Sequence, residues 1–325
     1  MAGQRPAAAS NKRQTKVARR KNKGRNISGV LLLDKPGGCS SNHALQKVKR
    51  LFGAAKAGHT GSLDPLATGM LPVCLGEATK ISAFLLDADK TYRLMCLLGV
   101  TTDTGDAEGE VLETQDASGI TQADIEKVLP DFIGEIEQVP PMYSAIKHNG
   151  ERLYKLARQG IEVERKARTI TINEIKLLGY EQGILELEVS CSKGTYVRTL
   201  VEDIAAKLGP ENHSIGAHIT ALRRLRVGPY QGDMLTMEQL EALAGQGYEA
   251  LDAVLQPVDS GVADWPDVHL GADAAFYVQQ GQAVMVPHAP THGWVRIYDQ
   301  SHFLGIGEIQ DDGMVAPRRM IRQCA

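Results

Sequence analysis

The stretch Gly58-His59-Thr60-Gly61-Ser62-Leu63-Asp64-Pro65-Leu66-Ala67-Thr68-Gly69-Met70-Leu71-Pro72 is the one around which this chain is organised. It holds a single carboxylate, Asp64, among glycines, hydroxyls and apolar residues, with no Lys, Arg or Glu. Pro65 has no backbone N–H and keeps φ near one value, so Asp64 has a stiff neighbour. Gly58, Gly61 and Gly69 can take positive φ and let another molecule approach the backbone. A lone acid in a tight loop is what a nucleophile or general base needs. Asp followed by Pro is also how many helices begin, with Asp as N-cap and Pro at the first helical position. A phosphate-cradling loop is disfavoured, because the Gly-Lys-Ser/Thr of a nucleotide loop is missing.

Upstream, Val30-Leu31-Leu32-Leu33 reads as a buried strand ended by a turn at Asp34-Lys35-Pro36-Gly37-Gly38. Ser40 or Ser41 then caps a helix whose apolar face is Leu45, Val48, Leu51 and Phe52. Downstream, Tyr92, Leu94, Cys96, Leu98 and Val100 alternate on one face of a strand over 91–100. The acids in Thr101 to Gly109 miss the spacing of a calcium loop and read as a turn. A helix is expected over 121–137, with Ile125, Val128, Leu129 and Phe132 inward. From Val139 to Arg168 cations interleave with aromatics, among them Tyr143, Lys147, Arg152, Tyr154, Lys155 and Arg158. That pattern suits either a surface gripping phosphates and stacking bases or an exposed amphipathic helix around Leu153 and Leu156.

Leu185 to Val189 alternates as a strand and runs into Cys191-Ser192-Lys193-Gly194-Thr195-Tyr196-Val197-Arg198. The next helix carries Val197, Val201, Ile204 and Leu208 on one side and stops at Gly209-Pro210. Arg198 therefore lies near a strand-to-helix junction, where a side chain can point into a cleft. Ala217 to Pro229 adds Leu222, Arg223, Arg224 and Arg226. Beyond Pro257, short β-like runs at 283–286, 294–298, 303–309 and 314–321 predict a small β-barrel.

The 325 residues suffice for a large core and two domains. No apolar run approaches the ~20 residues of a membrane span, and the basic start lacks a secretory apolar core. Five scattered cysteines, never in a C-x-x-C pair, argue against a zinc ribbon or disulfide framework and fit a reducing cytoplasm. Nine histidines are equally scattered, so no metal is expected. The net charge of −3 hides an asymmetry. Residues 1–25 carry nine cations and no acid, leaving 27 basic against 39 acidic residues in the rest. Such a segment reads as a disordered, solvated tail, and a basic arm on an acidic body is also a way to hold RNA.

Taken together, these pieces closely resemble the bacterial tRNA pseudouridine-55 synthases, the TruB family. The resemblance runs from about Gly29 to the C-terminus. It is carried by Leu33-Asp34-Lys35-Pro36 with Ser40-Ser41, by the Gly58 to Gly69 stretch, and by Lys90-Thr91-Tyr92. Thr102-Asp103-Thr104-Gly105-Asp106, Pro141-Met142-Tyr143-Ser144-Ala145 and Lys193-Gly194-Thr195-Tyr196-Val197-Arg198 complete it. A short insertion at 210–215 departs from it.

The resemblance implies an α+β protein. A pseudouridine synthase domain over 26–256 has a mixed, mostly antiparallel sheet with flanking helices. A PUA-like RNA-binding barrel covers 257–325, a basic tail 1–25, and an RNA-binding insertion 139–168. It implies isomerisation of uridine 55 in the T-arm of tRNA, without cofactor or metal, on a flipped-out base. Asp64 corresponds to the nucleophile and Arg198 to its ion-pair partner. Tyr92 contacts the uracil and takes the C5 proton; Tyr196 and Leu222 line the uracil pocket; His59 helps hold the displaced RNA. Lys35 and Pro36 back the catalytic loop, and Lys147, Arg152, Lys155 and Arg158 bind RNA. A cytoplasmic monomer with no obligate protein partner is expected. On the residues alone, an RNA-binding or RNA-folding protein stays open as a second class. A guide-RNA-dependent synthase is disfavoured by the short C-terminal part and the 139–168 insertion.

Overall fold

A computed structural model describes residues 24–209 and 214–322. Residues 1–23, the bulk of the expected tail, lie outside the described residues, as do 210–213 of the expected insertion. The elements run β1 (Gly29–Lys35), α1 (Ser41–Leu51), β2 (Ala57–His59), β3 (Thr68–Leu75), α2 (Ser82–Asp87), β4 (Lys90–Leu98), β5 (Val100–Thr102) and β6 (Val111–Thr114). Then follow α3 (Gln122–Val128), β7 (Gly134–Gln138), β8 (Lys147–His148), β9 (Glu151–Arg152), α4 (Leu153–Ala157), β10 (Arg168–Glu181) and β11 (Ile184–Cys191). The main domain ends with α5 (Val197–Leu208), β12 (Ala217–Val227), β13 (Tyr230–Gln231), α6 (Met237–Gln246) and α7 (Tyr248–Asp252).

The main sheet has the order β1-β3-β12-β4-β11-β10-β7. It is antiparallel except where β12 meets β3, at Thr68 with Arg223 and Gly69 with Arg224. That parallel join brings the end of the Asp64 loop beside the middle of β12. Helices α3 and α5 bury Ile125, Leu200, Val201 and Ile204 against Leu94, Cys96, Leu187 and Val189. At the other end α1, α6 and α7 bury Leu45, Val48, Leu240 and Leu251 against Leu31, Leu33, Leu71 and Val73. The loop is thus strung between two packed cores.

Several expectations change. Strand β1 runs on through Lys35, which is fully buried and not in a turn. The helix expected over 121–137 stops at Val128, because Pro130 cannot donate the next helical hydrogen bond. Gly134 at φ +99 turns the chain, and Ile136 between Glu135 and Glu137 follows strand alternation in β7. The 139–168 insertion holds a two-by-two hairpin and the five-residue α4, a short helix around Leu153 and Leu156 with Leu153 buried.

The C-terminal part is an open four-stranded sheet of β14 (Asp267–Leu270), β15 (Gly293–Asp299), β16 (His302–Ile309) and β17 (Val315–Met320), with α8 (Ala272–Gln279) beside it. No closed barrel forms among the described residues. The 283–286 run supplies one bridge, Val284 to Val315, because Pro287 ends its capacity to donate. This module docks on the main domain through Phe84, whose ring stands edge-on to Trp265 and Trp294 at 4.9 Å.

Candidate active site

Residues 61–67 form the loop joining β2 to β3, closed at its base by Thr60 N–H donating to the Pro72 carbonyl at 3.2 Å. Gly61 (φ +113) and Gly69 (φ +94) take left-handed backbone at the loop's two ends, whereas Gly58 does not. A Cβ on Gly69 would stand 2.3 Å from the Arg224 carbonyl oxygen, so only glycine fits there. No helix begins at Pro65, which removes the N-cap reading; Ala67 N–H donates to the Asp64 carbonyl at 3.1 Å and tightens the turn.

Three side chains hold this loop from behind. Lys35 donates to the carbonyls of Pro36 (2.8 Å), Pro65 (3.3 Å) and Ala67 (2.7 Å). Ser41 Oγ accepts from Leu63 N–H at 2.7 Å and donates to the Leu63 carbonyl at 3.0 Å. Arg224 donates to the carbonyls of Met70 (2.7 Å) and Gly61 (3.2 Å). Every residue flanking Asp64 is therefore tied by a group that is itself buried.

Asp64 keeps 43% of its side-chain exposure, while its partner Arg198 keeps 8%. The two meet at 3.0 Å, Asp64 Oδ2 to Arg198 Nη2. Arg198 also donates to the carbonyls of Thr104 (2.6 Å) and Tyr143 (2.8 Å), and lies 3.9 Å from Asp106 Oδ2. Asp106 is buried and accepts from Thr104 Oγ1 (2.7 Å) and Glu108 N–H (3.1 Å). Burial pushes the Asp64 carboxyl above its ordinary range; the Arg198 cation opposes this, Asp106 adds to it and Lys35 opposes it.

Tyr92 and Leu222 come from adjacent strands: β4 and β12 pair Leu222 with Leu94 and Arg224 with Tyr92. Leu222 is 8% exposed and Tyr92 packs at the edge of the same core. Burial raises the Tyr92 phenol's pKa, and the facing Arg224 guanidinium pulls it back. Tyr196 is held by its backbone: Gln138 accepts from its N–H at 2.8 Å and donates to its carbonyl at 3.2 Å. His59 pairs across from Val73 on β3, its Nδ1 buried with no partner among the described residues. Burial and the Arg224 charge lower its pKa, favouring the neutral ring.

Asp64, Arg198, Tyr92, Leu222, Tyr196, Lys35 and Pro36 thus gather around one loop. Lys147, Arg152, Lys155 and Arg158 do not. They are exposed on the hairpin and α4, and none forms an ion pair among the described residues. Sequence reading offers Ser41 only as an alternative helix cap and Asp106 only as part of a turn, and names Arg224 without a role. For Arg224 a signal existed, since period-two alternation puts it on the buried face of Leu222. Among the described residues no three His, Cys, Asp or Glu side chains come together as a metal site. No described helix is long and apolar enough to cross a membrane.

A carboxylate facing open space, fixed by a buried guanidinium and flanked by an aromatic ring and a leucine, is suited to nucleophilic attack or proton transfer on a flat ring system. Comparison with known proteins narrows the chemistry. Residues 49–197 match the family model described as TruB family pseudouridylate synthase (N terminal domain). Residues 198–263 match the tRNA pseudouridylate synthase B C-terminal domain, and 266–321 match Pseudouridine synthase II TruB, C-terminal. The tRNA pseudouridine synthase B of Nitrosococcus oceani is 58% identical over 304 residues, covering 93% of this chain and 97% of that protein. That of Pseudomonas aeruginosa is 56% identical, covering 92% and 97%. Among solved structures, a chain of a Cbf5-Nop10-Gar1 complex superposes with TM-score 0.68 at 27% identity, covering 91% of this chain and 84% of its own. A chain of an H/ACA RNP bound to a substrate RNA containing 2'-deoxyuridine gives 0.67 at 25%, covering 91% and 85%.

Proposed function

The chain belongs to the TruB family of tRNA pseudouridine synthases, and on that premise we propose that it isomerises uridine 55 in the T-arm of tRNA, with Asp64 as the nucleophile. The observation that carries this reading is the 3.0 Å contact between Asp64 and a buried Arg198 that two backbone carbonyls hold in place. A stacked base in an RNA stem-loop is out of reach, so the uridine is flipped out to meet the loop. The N1–C1′ bond breaks, the uracil turns, C5 bonds to C1′, and the C5 proton leaves as N1 regains one. A transient adduct with a carboxylate splits this into two easier steps.

In this reading a bound base drives water from around Asp64, which favours the protonated acid. Arg198 opposes that and keeps the oxygen negative. Tyr92 contacts the uracil and takes the C5 proton, Leu222 and Tyr196 line its pocket, and neutral His59 props the displaced RNA. Lys35, with Pro36, backs the loop; Lys147, Arg152, Lys155 and Arg158, exposed and without a carboxylate partner among the described residues, meet phosphates. The C-terminal module extends the RNA contact. The reading needs no cofactor and no protein partner, and has the chain act as a cytoplasmic monomer on tRNA.

The test is to map pseudouridine in an unmodified tRNA after incubation with the protein and no additive. Pseudouridine at position 55, lost in Asp64→Asn while tRNA binding survives, is the expected result. Tritium release from C5-labelled uridine by Asp64→Asn at the wild-type rate overturns the nucleophile assignment. Modification at another position overturns the site assignment.

A further inference from the structure

Arg224 is the bulkiest of the fully buried side chains, at 1% exposure. Among the described residues it enters no ion pair, unlike its neighbour Arg223, which clasps Asp34 at 2.9 and 2.7 Å. Burying a guanidinium without a carboxylate is costly, and an apolar side chain of similar volume would be the more stable filling. Its donors explain the arrangement. Nε bonds the Met70 carbonyl just after the Asp64 loop, and Nη2 bonds the Gly61 carbonyl at its start. The same residue is the cross-strand partner of Tyr92, whose hydroxyl faces the guanidinium. Gly69 packs so closely on the Arg224 backbone that no side chain fits between them.

We infer that Arg224 is a positioning residue for the isomerisation: its guanidinium ties both ends of the Asp64 loop to β12, directly across from Tyr92 on the paired strand β4. The inference rests on the roles proposed above for Asp64 and Tyr92. Those two groups come from different elements, yet must keep one geometry while the uracil is released and turned between them. A planar fork with separate donors reaches the Met70 and Gly61 carbonyls at once while lying across from Tyr92; an ammonium on a single stem cannot span both ends of the loop in the same way. Displacement of a reacting group by about 1 Å costs roughly a hundredfold in rate, so a group that touches no substrate still governs the chemical step.

The experiment measures single-turnover pseudouridine formation at saturating enzyme for Arg224→Met and Arg224→Lys, with tRNA affinity and thermal unfolding in parallel. Folded Arg224→Met is expected to bind tRNA within about threefold of wild type and to react roughly a hundredfold more slowly. Arg224→Lys is expected to recover no more than about a tenth of the wild-type rate. A folded Arg224→Met that reacts at full speed, or whose loss lies only in tRNA affinity, overturns the inference. Failure of both variants to fold overturns it too, because the residue is then a structural filling. These outcomes are separable from the reading beneath: an active Asp64→Asn removes the loop's proposed role, whereas an inert Asp64→Asn beside a full-speed Arg224→Met removes only that of Arg224.

Discussion

Arg198 meets Asp64 at 3.0 Å with a guanidinium already committed to the Thr104 and Tyr143 carbonyls. The cation is therefore pre-set by the protein, and the half-buried carboxylate comes to it. Arg198→Lys cannot reproduce this three-way fork, and the rate is expected to fall roughly a hundredfold or more. Without the cation, burial pushes Asp64 further upward, so the acid limb of the pH–rate profile moves to higher pH. A profile of Arg198→Met with its acid limb unmoved would sink this account of the pair.

Ser41 satisfies both the N–H and the carbonyl of Leu63, the residue before Asp64, within the buried interior. Ser41→Ala leaves both groups without a partner. It is expected to lower stability by about 2 kcal/mol, and to slow the single-turnover rate by about tenfold. Urea unfolding and rapid-quench assays on the same preparation check both.

Glu202 lies on α5 one turn after Arg198, with a pKa raised to about 6 by burial and by Asp203, Arg198 opposing. A carboxyl that holds its proton more tightly when folded lowers stability as pH rises from its unfolded value towards about 6. Glu202→Gln removes that loss. The variant should unfold at higher urea than wild type at pH 7.5, by at most about 2 kcal/mol, and the gap should close near pH 4. An equal gap at both pH values would show that the charge is not its source.

Lys147, Arg152, Lys155 and Arg158 stand exposed with no carboxylate partners among the described residues. Replacing all four by Ala is expected to weaken tRNA binding most at low salt. The slope of log affinity against log salt should flatten by roughly three if all four meet phosphates. An unchanged slope would place the RNA elsewhere.

Much of this was legible in the chain itself. Ser40 caps α1, and Leu45 and Val48 lie on its buried face, because a 3.6-residue period acts locally. Tyr92 to Leu98 alternates as read, and α5 begins beside Arg198 as its flanking residues imply. The misreadings came where local pattern competes with distant pairing. Local pattern alone extends the preceding helix over residues 134–138, because their strand partner, β10, begins 30 residues later. Local pattern puts Lys35 in a turn, because two of the three carbonyls that hold it belong to another segment.

By itself the sequence determined which groups the chain carries: a solitary acid in a glycine-flanked loop, an arginine at a helix start, an aromatic on a strand, and the motifs that mark its family. Those follow from residue type, short-range periodicity and order along the chain. The contact of Arg198 with Asp64 across 134 positions was implied by the family resemblance alone, and only the tertiary structure decided that Asp106 sits behind it and that Arg224 is a buried tie. Such contacts depend on the register of β12 against β3 and β4, which many weak pairings set together and no single segment encodes.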